Sequence, residues 1–153
     1  AYKGVPRWGA GGSALYLNHG VDMGYAFNRK EAKDHGEGGV IGGMQPQDGD
    51  HVIRIEDVIT AGTSVRETVP LLKAAADVKI DALVISVDRM ERGQGEKRAL
   101  AESEEKYGLK TTAMWTMAEV VEHLYGKEYK GRGIIDDEMK AAIDAYYEEY
   151  GAK

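Results

Sequence analysis

One stretch constrains this chain more than any other: Val52-Ile53-Arg54-Ile55-Glu56-Asp57-Val58-Ile59-Thr60-Ala61-Gly62-Thr63-Ser64. An apolar run ends in two adjacent carboxylates. A small loop of hydroxyls and glycine follows, and then a helical pattern begins. In an open α/β sheet, ligands sit beyond the carboxyl ends of the strands. Free amides at a helix N-terminus, with Thr and Ser hydroxyls and a glycine that admits the backbone, form a phosphate cradle. The two carboxylates cannot favourably face that phosphate. They can accept hydrogen bonds from neutral hydroxyls such as a ribose diol, or face a cation. Glu56 and Asp57 beside a cradle of Thr60, Ala61, Gly62, Thr63 and Ser64 therefore point to a sugar phosphate. The plain alternative is a strand that ends in polar residues before a capped helix.

The rest of the chain alternates strand and helix patterns. Strands are expected over residues 24–27, 51–56, 82–87 and 110–115, and helices over 63–76, 95–107, 117–125 and 136–150. In the first of these helices Val65, Val69, Leu72 and Ala76 share one face, although Pro70 removes a hydrogen bond within it. The run 82–87 is nearly continuously apolar, as in a strand covered on both faces. The last helix carries a stripe of Met139, Ala142, Ile143, Tyr146 and Tyr150, and its acidic start suits the helix dipole. Such alternation predicts an α/β fold with a mainly parallel, twisted sheet flanked by helices. The glycine clusters at Gly9, Gly11 and Gly12 and at Gly36, Gly38 and Gly39 read as loops. Residues 28–43 lack apolar periodicity and read as one long loop of the kind that is often functional.

The 153 residues amount to one domain, here spanning 1–153. Twenty Lys and Arg against 26 Asp and Glu give a net charge of −6. Nucleic-acid binders usually carry a basic excess, so nucleic acid is not an expected partner. There is no cysteine, which excludes disulfides and thiolate metal sites and suits a reducing, cytoplasmic setting. No apolar run is long enough to span a bilayer, so no membrane partner is expected.

A second chemical stretch is Asn28-Arg29-Lys30-Glu31-Ala32-Lys33-Asp34-His35-Gly36-Glu37-Gly38-Gly39. Cations on a loop can close over a polyanion and exclude water. Arg29 suits bidentate oxygen contacts, while Lys30 and Lys33 act as compact point charges. His35 can donate or accept a proton near neutral pH. The alternative is a solvated charged loop.

Together these stretches carry a resemblance. Residues 56–64 resemble the phosphoribosyl pyrophosphate motif of type I phosphoribosyltransferases, and residues 28–39 resemble the catalytic loop of the orotate phosphoribosyltransferase family. Ala1-Tyr2-Lys3-Gly4 and Asp88-Arg89-Met90-Glu91-Arg92-Gly93 are similar to further motifs of that family. The resemblance implies the type I phosphoribosyltransferase fold and a Mg²⁺-dependent reaction of pyrimidine biosynthesis. Orotate and phosphoribosyl pyrophosphate would give orotidine 5′-monophosphate and pyrophosphate.

It further implies that Glu56 and Asp57 hold the ribose hydroxyls and support positive charge on the sugar, while residues 60–64 cradle the 5′-phosphate. Lys3 would contact pyrophosphate and Arg89 the orotate. Arg29, Lys30, Lys33 and His35 would belong to a loop that closes over the neighbouring subunit's site in a homodimer. Lys33, His35 and Asp57 are the catalytic candidates; Mg²⁺ would be held mainly by substrate and water, with no side-chain ligand assigned. Members of the family carry a further N-terminal segment, and the chain is expected to lack it. Three other readings stay open: a type I transferase for another base, a non-catalytic module sensing phosphoribosyl pyrophosphate, and an inert piece of an enzyme.

Several residues read more plainly. His19, His51 and His123 lack metal-ligand spacing, Trp8 and Trp115 read as packing residues, and Glu102, Glu104 and Glu105 as a solvated helix face. Glu91 and Arg92 either orient Arg89 or pair at the surface. Arg54 is an oddity, a cation inside an apolar strand.

Overall fold

The computed structural model describes residues 4–33, 39–59 and 63–152, without the side chains of 30–33, 63 and 64. Its elements are α1 (Gly4–His19), β1 (Ala26–Lys33), β2 (Gly39–Gly43), β3 (His51–Val58), α2 (Thr63–Ala75), β4 (Lys79–Asp88), α3 (Ala99–Tyr107), β5 (Lys110–Thr116), α4 (Met117–Leu124), β6 (Glu128–Tyr129), β7 (Arg132–Gly133) and α5 (Asp137–Tyr150). Strands β3, β4 and β5 form a parallel sheet in that order. This is the α/β alternation expected, and α2 runs through Pro70.

The apolar strand β4 lies in the middle of the sheet because it alone can bury a long run of side chains. Leu83 and Ile85 are fully buried against Val65 and Val69 of α2, Leu100 of α3 and Leu109. Fully burying each such side chain contributes on the order of 1.5–3 kcal/mol. The expectation that β4 is covered on both faces does not hold. Ala82, Val84 and Ser86 on the other face are only partly buried, and Ile53 of β3 is 47% exposed. Helix α1 packs against β3.

Helix ends follow side-chain chemistry. Thr116 and Glu119 form a reciprocal capping box that starts α4, and Asp136 accepts from the Met139 N–H to start α5, as its charge suggested. Helix α3 begins four residues later than expected, at Ala99. The Glu102 carboxylate accepts instead from the Gln94 and Gly95 N–H groups and holds residues 94–97 as a bent loop. Those two bonds keep its carboxyl below the ordinary range, so Glu102 is an anchor rather than part of a solvated face.

Two further expectations are corrected. Gly9, Gly11 and Gly12 lie inside α1, not in a loop. The Trp8 ring lies over Gly12, where a Cβ would come within 3.2 Å of it, so small size at that position serves packing. Residues 28–43 are not one long loop either. Strands β1 and β2 pair antiparallel from Ala26↔Gly43 to Lys33↔Gly39. A two-stranded ribbon is held by backbone bonds and needs no apolar alternation on its wet face, so the periodicity test missed it. Gly42 faces the Phe27 ring so closely that a Cβ would lie 2.7 Å from it. Residues 34–38, between β1 and β2 in the chain, lie outside the described residues.

The stripe expected to bury α5 is largely uncovered, with Met139 48%, Tyr146 40% and Tyr150 46% exposed. Trp115 is likewise 53% exposed rather than packed. His51 pairs at the surface with Asp81, 2.5 Å away. No helix among the described residues is long and apolar enough to cross a membrane.

Candidate active site

The carboxyl edge of the parallel sheet collects the chemistry. Strand β3 delivers Glu56 and Asp57 there, followed by buried Ile59, and α2 begins at Thr63. The next strand, β4, ends at Asp88 and delivers Arg89 to the same edge, because Glu56 lies level with Ile85 and Val58 level with Val87. The acid pair and Arg89, far apart in the chain, are thus delivered to the same edge by adjacent strands. This is where open α/β sheets bind ligands.

Successive side chains of a strand alternate between faces. Arg54 and Glu56 therefore share the helix-covered face, level with Leu83 and Ile85, while Asp57 turns to the other. Arg54 is only 9% exposed, and its Nη2 pairs with Glu56 Oε1. Burial pulls the guanidinium pKa below its ordinary value, while Glu56 and the nearby Glu67 raise it. Its Nη1 is buried without a hydrogen-bond partner. The oddity in the sequence is thus a buried cation held against the first member of the acid pair. The i, i+2 spacing could have exposed this, since both residues had to lie on one face.

The hairpin stands alongside β3, with Ile41 packed against Leu72 and Val78 toward the amino end of the sheet. A cavity of about 380 Å³ is walled by Trp8, Phe27, Val52 and Leu71, with Arg54 and Glu56 also in its lining. The base of the β1–β2 hairpin therefore abuts the strand that bears the acids. Arg29 Nη1 donates to the Gly39 carbonyl across the hairpin at 3.4 Å. Lys30 and Lys33 follow along β1. Lys3, His35, Thr60, Ala61 and Gly62 lie outside the described residues, and Thr63 and Ser64 are described only as the first residues of α2.

On the β4 side, Arg89 Nη2 pairs with Glu91. Asp88, nearly buried, accepts from the Met90 N–H at 2.8 Å and from Arg98 at 3.2 Å. Arg92 donates instead to the Glu149 carbonyl at the end of α5. Sequence reasoning missed the partners on α5 because they lie more than fifty residues away.

Among the described residues no three His, Asp or Glu side chains stand close enough to cage a metal. Mg²⁺ commonly keeps several waters and binds through one or two carboxylates plus substrate phosphates. Glu56 and Asp57 lie on opposite faces of β3, and Glu56 is already paired with Arg54, so a Mg²⁺ ion at this edge would be held mainly by substrate phosphates and water.

No protein-family model matches the chain. It is 56% identical over 153 residues to the orotate phosphoribosyltransferase of Lachnoclostridium phytofermentans, with all of this chain and 68% of that protein covered. The same enzyme of Clostridium beijerinckii is 55% identical over 153 residues, again with 100% and 68% covered. The chain thus spans about two thirds of the length of these relatives. Among solved structures, the orotate phosphoribosyltransferase of Francisella tularensis matches with a TM-score of 0.72 and 29% identity, over 97% of this chain and 66% of that one. The UMP synthase of Leishmania donovani shares the fold, with a TM-score of 0.57 at 20% identity over 90% of this chain and 26% of that one.

Proposed function

Because this chain belongs to the orotate phosphoribosyltransferase family, we propose that it transfers ribose 5-phosphate from phosphoribosyl pyrophosphate to orotate, as a single core domain. The bond from the anomeric carbon to pyrophosphate breaks with its electron pair on oxygen. A bond from a ring nitrogen of orotate forms, and that nitrogen gives up its proton. The observation that carries this reading is one juxtaposition: the acid pair near the end of β3 and Arg89 just past the end of β4 lie at the carboxyl edge of one parallel sheet, with α2 beginning at Thr63.

Each residue has a physical task. Glu56 and Asp57 accept from the ribose hydroxyls and stabilise the positive charge that develops on the sugar. Thr60, Ala61, Gly62, Thr63 and Ser64 offer amides and hydroxyls to the 5′-phosphate. Arg89 meets the anionic base. Lys3, Arg29, Lys30, Lys33 and His35 surround the pyrophosphate, with Lys33 and His35 nearest the departing oxygen. Preorganised cations act most strongly on charge that appears only in the transition state, in a site that excludes water. Bound Mg²⁺ would supply charge neutralisation on the pyrophosphate, held mainly by substrate and water.

The reading includes a homodimer in which the β1–β2 hairpin reaches the neighbouring site. A reducing cytoplasmic setting suits the absence of cysteine.

The test is direct. The chain is incubated with orotate, phosphoribosyl pyrophosphate and Mg²⁺, and orotate absorbance is followed. Loss of orotate with matching release of pyrophosphate is expected. Turnover of a purine base in place of orotate, or tight binding of phosphoribosyl pyrophosphate without turnover, would favour the other transferase or the sensing module.

A further inference from the structure

The turn that carries Arg89 is fastened to the far end of the chain. Arg89 itself is 43% exposed in its side chain, yet its surroundings are closely specified. The Glu91 carboxylate, 15% exposed, pairs with the Arg89 guanidinium through Oε1. The same oxygen accepts from the Tyr146 hydroxyl at 2.7 Å. The neighbouring Tyr147 donates its hydroxyl to the Arg89 carbonyl, also at 2.7 Å. Backbone bonds join the same segments: the Arg92 N–H donates to the Tyr150 carbonyl at 3.0 Å, and the Ala152 N–H to the Met90 carbonyl at 3.1 Å. Glu91 and Gly151 form an antiparallel bridge. Between these ties Met90 adopts φ 57°, a left-handed conformation that a non-glycine residue holds only when its surroundings impose it.

These contacts are more than a helix needs to dock. Tyr146 and Tyr147 are adjacent on α5, with rings 5.6 Å apart and edge-to-face. One grips the side-chain partner of Arg89 and the other its backbone. A long, exposed arginine loses much rotamer freedom when it meets a ligand, and fixing it beforehand removes that cost from binding.

We propose that α5 sets the orientation of Arg89 toward the base, with Tyr146 and Tyr147 as positioning residues for orotate recognition. The inference rests on Arg89 meeting the base, as read above. It assigns a task to the C-terminal helix, whose stripe the fold leaves largely uncovered.

The test compares Tyr146→Phe, Tyr147→Phe and the double variant with wild type and with Tyr129→Phe, an exposed tyrosine on β6. A hydrogen bond to a charged group or a carbonyl is worth enough that the double variant should raise the orotate KM about tenfold. The KM for phosphoribosyl pyrophosphate should stay within about twofold. Amide exchange at Arg92 should quicken while exchange in β4 stays unchanged. An unchanged orotate KM in the double variant overturns the proposal whatever the exchange shows, as does an equal rise in both KM values. Arg89→Gln separates the premises. If it raises the orotate KM and the tyrosine pair does not, the tether alone fails. If Arg89→Gln leaves that KM unchanged, the base-contact reading fails and takes the tether with it.

Discussion

Lys33→Ala should lower turnover by roughly a hundredfold to a thousandfold while leaving the KM for phosphoribosyl pyrophosphate within a few-fold. Substrate already carries its phosphate charges when it binds, and several cations share them. What changes along the reaction is the charge on the oxygen that leaves. A cation aimed there acts mainly in the transition state, so its loss appears in kcat. Lys33 is the last residue of β1, two positions before His35 in the sequence. Steady-state kinetics with both substrates checks this. Unchanged kcat with a raised KM would make Lys33 a ground-state binding residue instead.

The second large effect is on stability. Glu56→Gln removes the charge that compensates Arg54, whose side chain is 9% exposed. Removing one partner of a buried ion pair costs roughly 3–5 kcal/mol, and the lower end applies because Glu56 is 24% exposed. Arg54→Met should behave differently. It removes the buried cation together with its unpartnered Nη1, and exchanging buried charge for apolar volume is often neutral or stabilising. Arg54→Met placed in the Glu56→Gln background should therefore recover most of the loss. Urea midpoints of the four proteins check this cycle. Additive losses would mean that the pair is not coupled. The cycle also bears on catalysis, because Glu56→Gln alone changes the fold and the site together. The role of Glu56 toward ribose is measured cleanly only with Arg54→Met as the reference.

Much of the architecture was legible because periodicity reports burial. The strands β3 and β4 and the helices α2 and α4 bury side chains in patterns that repeat every two or 3.6 residues, while α5 was legible through its acidic cap although its stripe is largely uncovered. The hairpin and α1 were not legible. Their glycines signal loops by propensity, but here Gly42 and Gly12 make room for Phe27 and Trp8. Propensity lost to packing, which only the fold brings about. The site divides in the same way. The acid pair was visible as a local motif, and Arg89 through its resemblance to a family motif. The ties from Tyr146 and Tyr147 to the Arg89 turn span 55 and 58 residues, and no local pattern announces them. Arg54 was visible as an anomaly, but its partner two positions later went unnoticed.

The central claim is that residues 60–64, after the acid pair, capture a sugar phosphate. Titrating the ¹⁵N-labelled chain with ribose 5-phosphate tests it most directly. The amides of residues 59–64 should shift most, with saturation, and Asp57→Asn should weaken the binding without moving its location. Saturable binding that leaves those amides still and shifts others would contradict the account.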